Sequence, residues 1–129
     1  MHLLDTNVIS ELMRPRPLDS VVRWADGLER CAFSVVTLEE VWFGLAARRN
    51  ARLERWFDGF VRDHGEVLPV TAPIARRCAN FRAQLRTAGR TRTQADMLIA
   101  GTAAEHDLLL ATRNARDFDG CGLRLVNPF

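Results

Sequence analysis

Most of the 16 acids in this 129-residue chain lie on polar stretches, but a few sit where a charge is poorly accommodated. Asp5 ends the apolar run of "HLLDTNVISEL". Glu40 lies in "VVTLEEVWFG", and on a helix of 3.6 residues per turn its face carries Val36, Phe43 and Ala47. Asp96, in "TQADMLIAGTA", shares its face with Ile99, Ala100 and Ala103, and "ATRNARDF" adds Asn114 and Asp117 just after the apolar "LLLA". An ionised carboxylate in such company is costly unless it is hydrogen-bonded or holds a cation. Converging at one end of a sheet, these segments would offer only oxygen donors, which suit Mg²⁺ or Mn²⁺ with several waters retained. Such ions activate water and stabilise phosphoryl oxygens during phosphodiester cleavage.

A second reading of the same residues is purely structural. "DTN" is good helix-capping chemistry, and Thr37-x-x-Glu40 and Thr93-x-x-Asp96 both have the spacing of a capping box. Asn114 and Asp117 also suit a turn. Periodicity does not choose between Glu39 and Glu40. Capping and metal binding are compatible, so neither reading removes the other.

The elements that would position these residues can be traced along the chain. Leu3 and Leu4 read as a first strand, followed by a helix over 7–13 and a break at "RPRP". Asp19 is expected to cap a second helix carrying Val21, Ala25 and Leu28. "CAFSVV" reads as a second strand, with Thr37 capping "LEEVWFGLAARR". A helix through Leu53, Trp56, Phe57 and Phe60 leads to the strand "EVLPV", and Thr71 with Pro73 opens a helix reaching about Leu85. "RTAGRTRTQ" is a loop, "ADMLIAGTAAEH" a helix, and "LLLAT" and "LRLVNPF" are strands. Short apolar strands alternating with helices imply βαβ units and a mainly parallel sheet covered on both faces. Ligands of such sheets gather beyond the carboxyl ends of the strands, where Asp5 and "TRNARD" fall.

Composition narrows the function. At 47% hydrophobic residues, the length suits one domain over 1–129. No apolar run spans a membrane or forms a signal peptide, so a cytoplasmic protein is expected. Cys31, Cys78 and Cys121, like His2, His64 and His106, are too scattered for a disulfide framework or zinc site, and the cysteines read as small buried hydrophobes. All 18 basic residues are arginine, which excludes lysine-dependent phosphate loops and Schiff-base chemistry. Arginine keeps nucleic acid open as a partner.

In order along the chain, "LLDTNVISEL", "SVVTLEEVWFG", "ADMLIAGTA", "LLLATRNARDF" and "VNPF" resemble the PIN-domain ribonucleases, particularly the VapC and FitB type toxins of bacterial toxin-antitoxin pairs. The resemblance implies a three-layer α/β/α sandwich with a mainly parallel central sheet. It implies a Mg²⁺- or Mn²⁺-dependent endoribonuclease in which Asp5, Glu40, Asp96 and Asp117 hold the metal, and it selects Glu40 over Glu39. Asn114 assists at the fourth position, Thr112 places a hydroxyl beside the metal, and Thr6 supports the same site. "RTRTQ" is more basic than the resemblance leads one to expect, so Arg90 and Arg92 are either part of a solvated loop, the favoured reading, or contacts to RNA phosphate. Expected partners are the RNA substrate, a cognate antitoxin and a second copy of the chain. Helices bearing Trp24 and Trp56 would form the antitoxin groove, with Trp42 left in the core. The competing reading is a PIN-like module that binds protein or RNA without chemistry.

Overall fold

Successive side chains of a strand point to opposite faces, and Leu3 and Leu4 in strand β1 (His2–Leu4) do so into two separate cores. Leu3 packs with Cys78, Leu85, Met97, Ile99 and Ala103, whereas Leu4 packs with Val8, Ile9, Val21, Phe33 and Phe57. Both leucines are fully buried, contributing roughly 2 kcal/mol each. A strand apolar on both sides belongs in a parallel sheet with helices on each face.

The computed structural model describes residues 1–129. β1 is followed by α1 (Thr6–Leu12), α2 (Asp19–Asp26), β2 (Cys31–Ser34), α3 (Val35–Arg48), α4 (Ala51–His64) and β3 (Gly65–Leu68). The chain continues through α5 (Ala72–Thr87), α6 (Gln94–Glu105), β4 (Leu109–Ala111), a short 3₁₀ helix (Ala115–Phe118) and β5 (Leu125–Val126). The strands form one sheet in the order β3-β2-β1-β4-β5, and every pairing is parallel. Helices α1 to α4 cover the Leu4 face and α5 with α6 the Leu3 face, giving the expected three layers. No helix is long and apolar enough to cross a membrane.

Three local expectations are corrected. Ser34, not Thr37, caps α3: its hydroxyl accepts from the Val36 N–H at 3.1 Å, so the helix begins at Val35 and Thr37 lies buried inside it. Asp19 is the first residue of α2 rather than its cap, and the chain entering α2 is held instead by the buried Glu11, whose Oε2 accepts from the Leu18 N–H at 3.1 Å. Trp42 is 47% exposed, because Leu38, Val41 and Leu45 fill the inward stripe of α3 and turn Trp42 and Phe43 outward. The cysteines are buried and free as expected, and burial pushes the Cys31 thiol up to about 11.

Candidate active site

Asp5 stands at the carboxyl end of the middle strand. Its N–H donates to the Ala111 carbonyl at 2.9 Å, extending the β1–β4 ladder, and its extended backbone then gives way to α1. The carboxylate does cap that helix, with Oδ1 accepting from the Thr6 N–H at 2.8 Å. Its Oδ2 accepts from the Thr112 hydroxyl at 2.8 Å and from Asn7 Nδ2 at 3.2 Å. Capping and convergence are thus properties of one side chain.

The neighbours of Asp5 form a continuous network. Asn7 Oδ1 accepts from the Arg113 N–H at 3.1 Å, and Thr112 Oγ1 accepts from the Asn114 N–H at 3.0 Å, so the turn after β4 is fixed to the start of α1. The Thr6 hydroxyl donates to Glu40 Oε1 at 2.8 Å, tying α1 to α3. Glu39, one position earlier, is exposed. Asp96 enters from the other side of the sheet: Thr93 caps α6 by accepting from the Asp96 N–H at 3.1 Å, which sets the carboxyl in the first helical turn.

Asp5, Glu40, Asp96, Asn114 and Thr6 line one open cavity of about 840 Å³. Burial pushes the Asp5 carboxyl above the ordinary carboxylate range, with Asp96 and Glu40 adding repulsion against the hydrogen bonds of Thr112 and Thr6. Asp96 is also raised, first by burial and then by the neighbouring Asp117, while Thr93 and Arg92 oppose the shift. None of Asp5, Glu40 or Asp96 is in an ion pair. Uncompensated carboxylates around a wet cavity are what a hard cation would neutralise. No three of these acids come together as a preformed ligand set. Mg²⁺ and Mn²⁺ take oxygen ligands and keep several waters.

The structure sorts the remaining sequence candidates. Asp117, in the 3₁₀ helix, is near enough to Asp96 to repel its charge but does not line the cavity, so it is not placed as the fourth ligand expected of it, whereas Asn114 does line the cavity. Arg90 pairs with Asp119 at 3.2 Å. Arg92 donates to the carbonyls of Asp117 at 3.0 Å, Arg116 at 3.3 Å and Thr91 at 3.3 Å. Both arginines therefore brace the 3₁₀ segment and lie outside the cavity wall. The arginines that do line it are Arg14, Arg48, Arg52 and Arg113, which sequence reasoning missed along with Asn7. For Asn7 the signal lies in "DTN", where capping accounts for it equally well. For the arginines it is weak among 18 of their kind. Of the expected antitoxin aromatics, Trp24 is half-buried with its ring edge against His2, and Trp56 stacks on Phe60 with centroids 5.1 Å apart.

A family profile described as PIN domain matches residues 2–120. The chain is 37% identical to VapC ribonuclease Y4jK of Sinorhizobium fredii, over 100% of this chain and 98% of that protein. It is 35% identical to Toxin FitB of Neisseria gonorrhoeae, over 100% and 99% respectively. The crystal structure of FitAcB from Neisseria gonorrhoeae superposes with a TM-score of 0.85 at 34% identity, covering 99% of this chain and 98% of that one.

Proposed function

The chain belongs to the PIN domain family, and on that premise we propose that it is a Mg²⁺- or Mn²⁺-dependent endoribonuclease acting as the toxin of a toxin-antitoxin pair. The observation that carries the reading is the set of three carboxylates, Asp5, Glu40 and Asp96, facing one cavity with no basic side chain paired to any of them. Similarity to proteins named a ribonuclease and a toxin supports it.

In this mechanism Asp5, Glu40 and Asp96 would hold the cation, and Asp117 would add negative charge beside Asp96. A bound divalent cation supplies a more acidic water and neutralises charge on the phosphoryl oxygens. The side chains do the positioning: Thr6 N–H, Asn7 and Thr112 fix both oxygens of Asp5, and the Thr6 hydroxyl fixes Glu40 Oε1. Asn114, anchored through its N–H to Thr112, is placed to assist from the β4 side.

Two experiments test this. Calorimetric titration with Mn²⁺ should show binding that weakens at least about tenfold in Asp96→Asn, since one of few oxygen ligands loses its charge. Cleavage of total RNA should stop in chelator and return with Mg²⁺. A binding module without chemistry would be indifferent to cation and chelator alike, and that outcome would overturn the enzymatic reading.

The toxin role is separable. We place the antitoxin contact on the outward face of α3 and α4, where Trp42, Phe43 and Trp56 are 47%, 72% and 38% exposed, because aromatic residues at such exposure suit an interface. Expressed alone, the protein should slow bacterial growth, and the product of the adjacent upstream reading frame should co-purify with it and restore growth. If that product neither binds nor protects, and the protein alone is harmless, the toxin role fails while the nuclease reading stands.

A further inference from the structure

Glu40, Gly44 and Arg48 follow one another at four-residue spacing on α3, so they share a helical face, and all three line the cavity. The rise of 1.5 Å per residue sets the Glu40 and Arg48 backbones roughly 12 Å apart along the helix axis. A Cβ built at Gly44 would meet nothing within 4 Å. The glycine is therefore not required by close packing of the fold. Its missing side chain leaves the wall low midway between acid and arginine. Beyond Arg48, Asn50 caps α4 and Arg52 continues the same wall.

The opposite flank is also basic. In the strand order β2-β1-β4, Asp5 ends the middle strand, α3 follows β2, and Arg113 follows β4. Arg113 thus adjoins the acids from the β4 side, and Arg48 with Arg52 lines the same cavity from the helices that follow β2. Arg113 is exposed, with its N–H tied to Asn7 Oδ1 and its guanidinium 5.1 Å from the centroid of the Phe129 ring. Neither Arg48, Arg52 nor Arg113 is in an ion pair, unlike Arg14, which is held by Glu11 at 3.3 Å.

We propose that this cavity is the track of a single RNA strand, which crosses the acids with flanking phosphates on Arg113 at one side and on Arg48 and Arg52 at the other, and passes over Gly44 between them. The proposal rests on the nuclease reading and adds the substrate's path. Unpaired arginines on both flanks match the repeating charge of a phosphate backbone, and each planar guanidinium can engage two phosphate oxygens. An acidic floor between basic flanks matches the one phosphate whose charge must be met by a cation rather than by an arginine. The low wall at Gly44 admits a ribose or base where any longer side chain would project into the track.

Three variants test it against a control, Arg62→Ala, an exposed arginine outside the cavity that is paired with Asp63. The probe is a short labelled single-stranded RNA of mixed sequence, titrated at several salt concentrations in chelator. Removing one arginine that neutralises a phosphate reduces the salt slope by about 0.7 for single strands. The double variant Arg48→Ala, Arg52→Ala should therefore lower the slope by roughly 1.4 and weaken binding about 25-fold at 0.1 M salt. Arg113→Ala should lower it by about 0.7 and raise KM more than it lowers kcat. Gly44→Phe should block cleavage while Mn²⁺ binding by calorimetry stays as in the wild type, since the acids are untouched. The proposal is overturned if the double variant binds and cleaves like Arg62→Ala. It is equally overturned if Gly44→Phe cleaves normally and loses only its protein partner, which would make the cavity a protein groove. A wild type that binds neither Mn²⁺ nor RNA would bring down the nuclease reading itself, a result distinct from either of these.

Discussion

Asp5→Asn should lower RNA cleavage by at least about a thousandfold and abolish measurable Mn²⁺ binding, while the melting temperature in chelator stays within a few degrees of the wild type. A bound metal contributes several kcal/mol to phosphodiester cleavage, and each 1.36 kcal/mol is a factor of ten in rate. The fold should survive because two effects oppose each other. Burial raises the pKa of Asp5, with repulsion from Asp96 and Glu40 adding to it, so the ionised carboxylate costs stability at neutral pH, and the amide removes that cost. Against it, the substituted amide can keep the acceptor for the Thr6 N–H but loses the one shared by the Thr112 hydroxyl and Asn7 Nδ2, about 1 kcal/mol for each bond. The measurement is cleavage of total RNA alongside thermal unfolding in chelator. Full metal-dependent cleavage by the purified variant would remove Asp5 from the mechanism. A collapse in stability would instead make Asp5 a structural cap.

The parts of this site that sequence could reveal are those set by near neighbours in the chain. Asp5 after Leu4 and Asp96 three residues after Thr93 each declare themselves through a local break between apolar and polar pattern, and each is where that break implies. Links between distant residues leave no such trace. Thr6 to Glu40, 34 residues apart, and Asp5 to Thr112, 107 apart, become visible only when the strand order brings β1 between β2 and β4. The cap of α3 escapes sequence reading for a different reason. Val35 and Val36 are β-branched and read as strand, yet in the first turn of a helix there is no preceding turn to crowd their side chains, so the Ser34 cap decides. Trp42 reads as core because α3 is apolar around much of its circumference, and pattern alone does not say which residues the sheet will take. Arg92 shows the limit for charged residues. Three of its donors end on backbone carbonyls, partners that carry no sequence signature.

Gly65→Val should destabilise the protein by at least about 3 kcal/mol, lowering the melting temperature by roughly 10 °C, and should reduce cleavage as well. A Cβ at Gly65 would lie 2.6 Å from Phe33 Cδ2 and 2.9 Å from the Val61 carbonyl oxygen. Neither can retreat cheaply. The Phe33 ring is fully buried with its edge against Phe60, and the Val61 carbonyl belongs to α4 and accepts from the Gly65 N–H at the helix end. The backbone at Gly65 has φ −104°, which any residue adopts, so the requirement for glycine is steric contact and not conformation. The consequence for activity follows from the chain itself. Phe33 adjoins Ser34, whose hydroxyl caps α3, and α3 presents Glu40 to the cavity. Displacing the ring therefore loosens the cap that orients a site carboxylate. Gly44→Ala supplies the contrast: its Cβ enters open space in a helix interior, where alanine is favoured over glycine by up to about 1 kcal/mol, so it should melt no lower than the wild type. Thermal unfolding of both variants decides the matter. Replacing Phe33 by Leu in the Gly65→Val background should recover part of the loss, and purely additive effects of the two changes would show that the ring and the glycine do not meet.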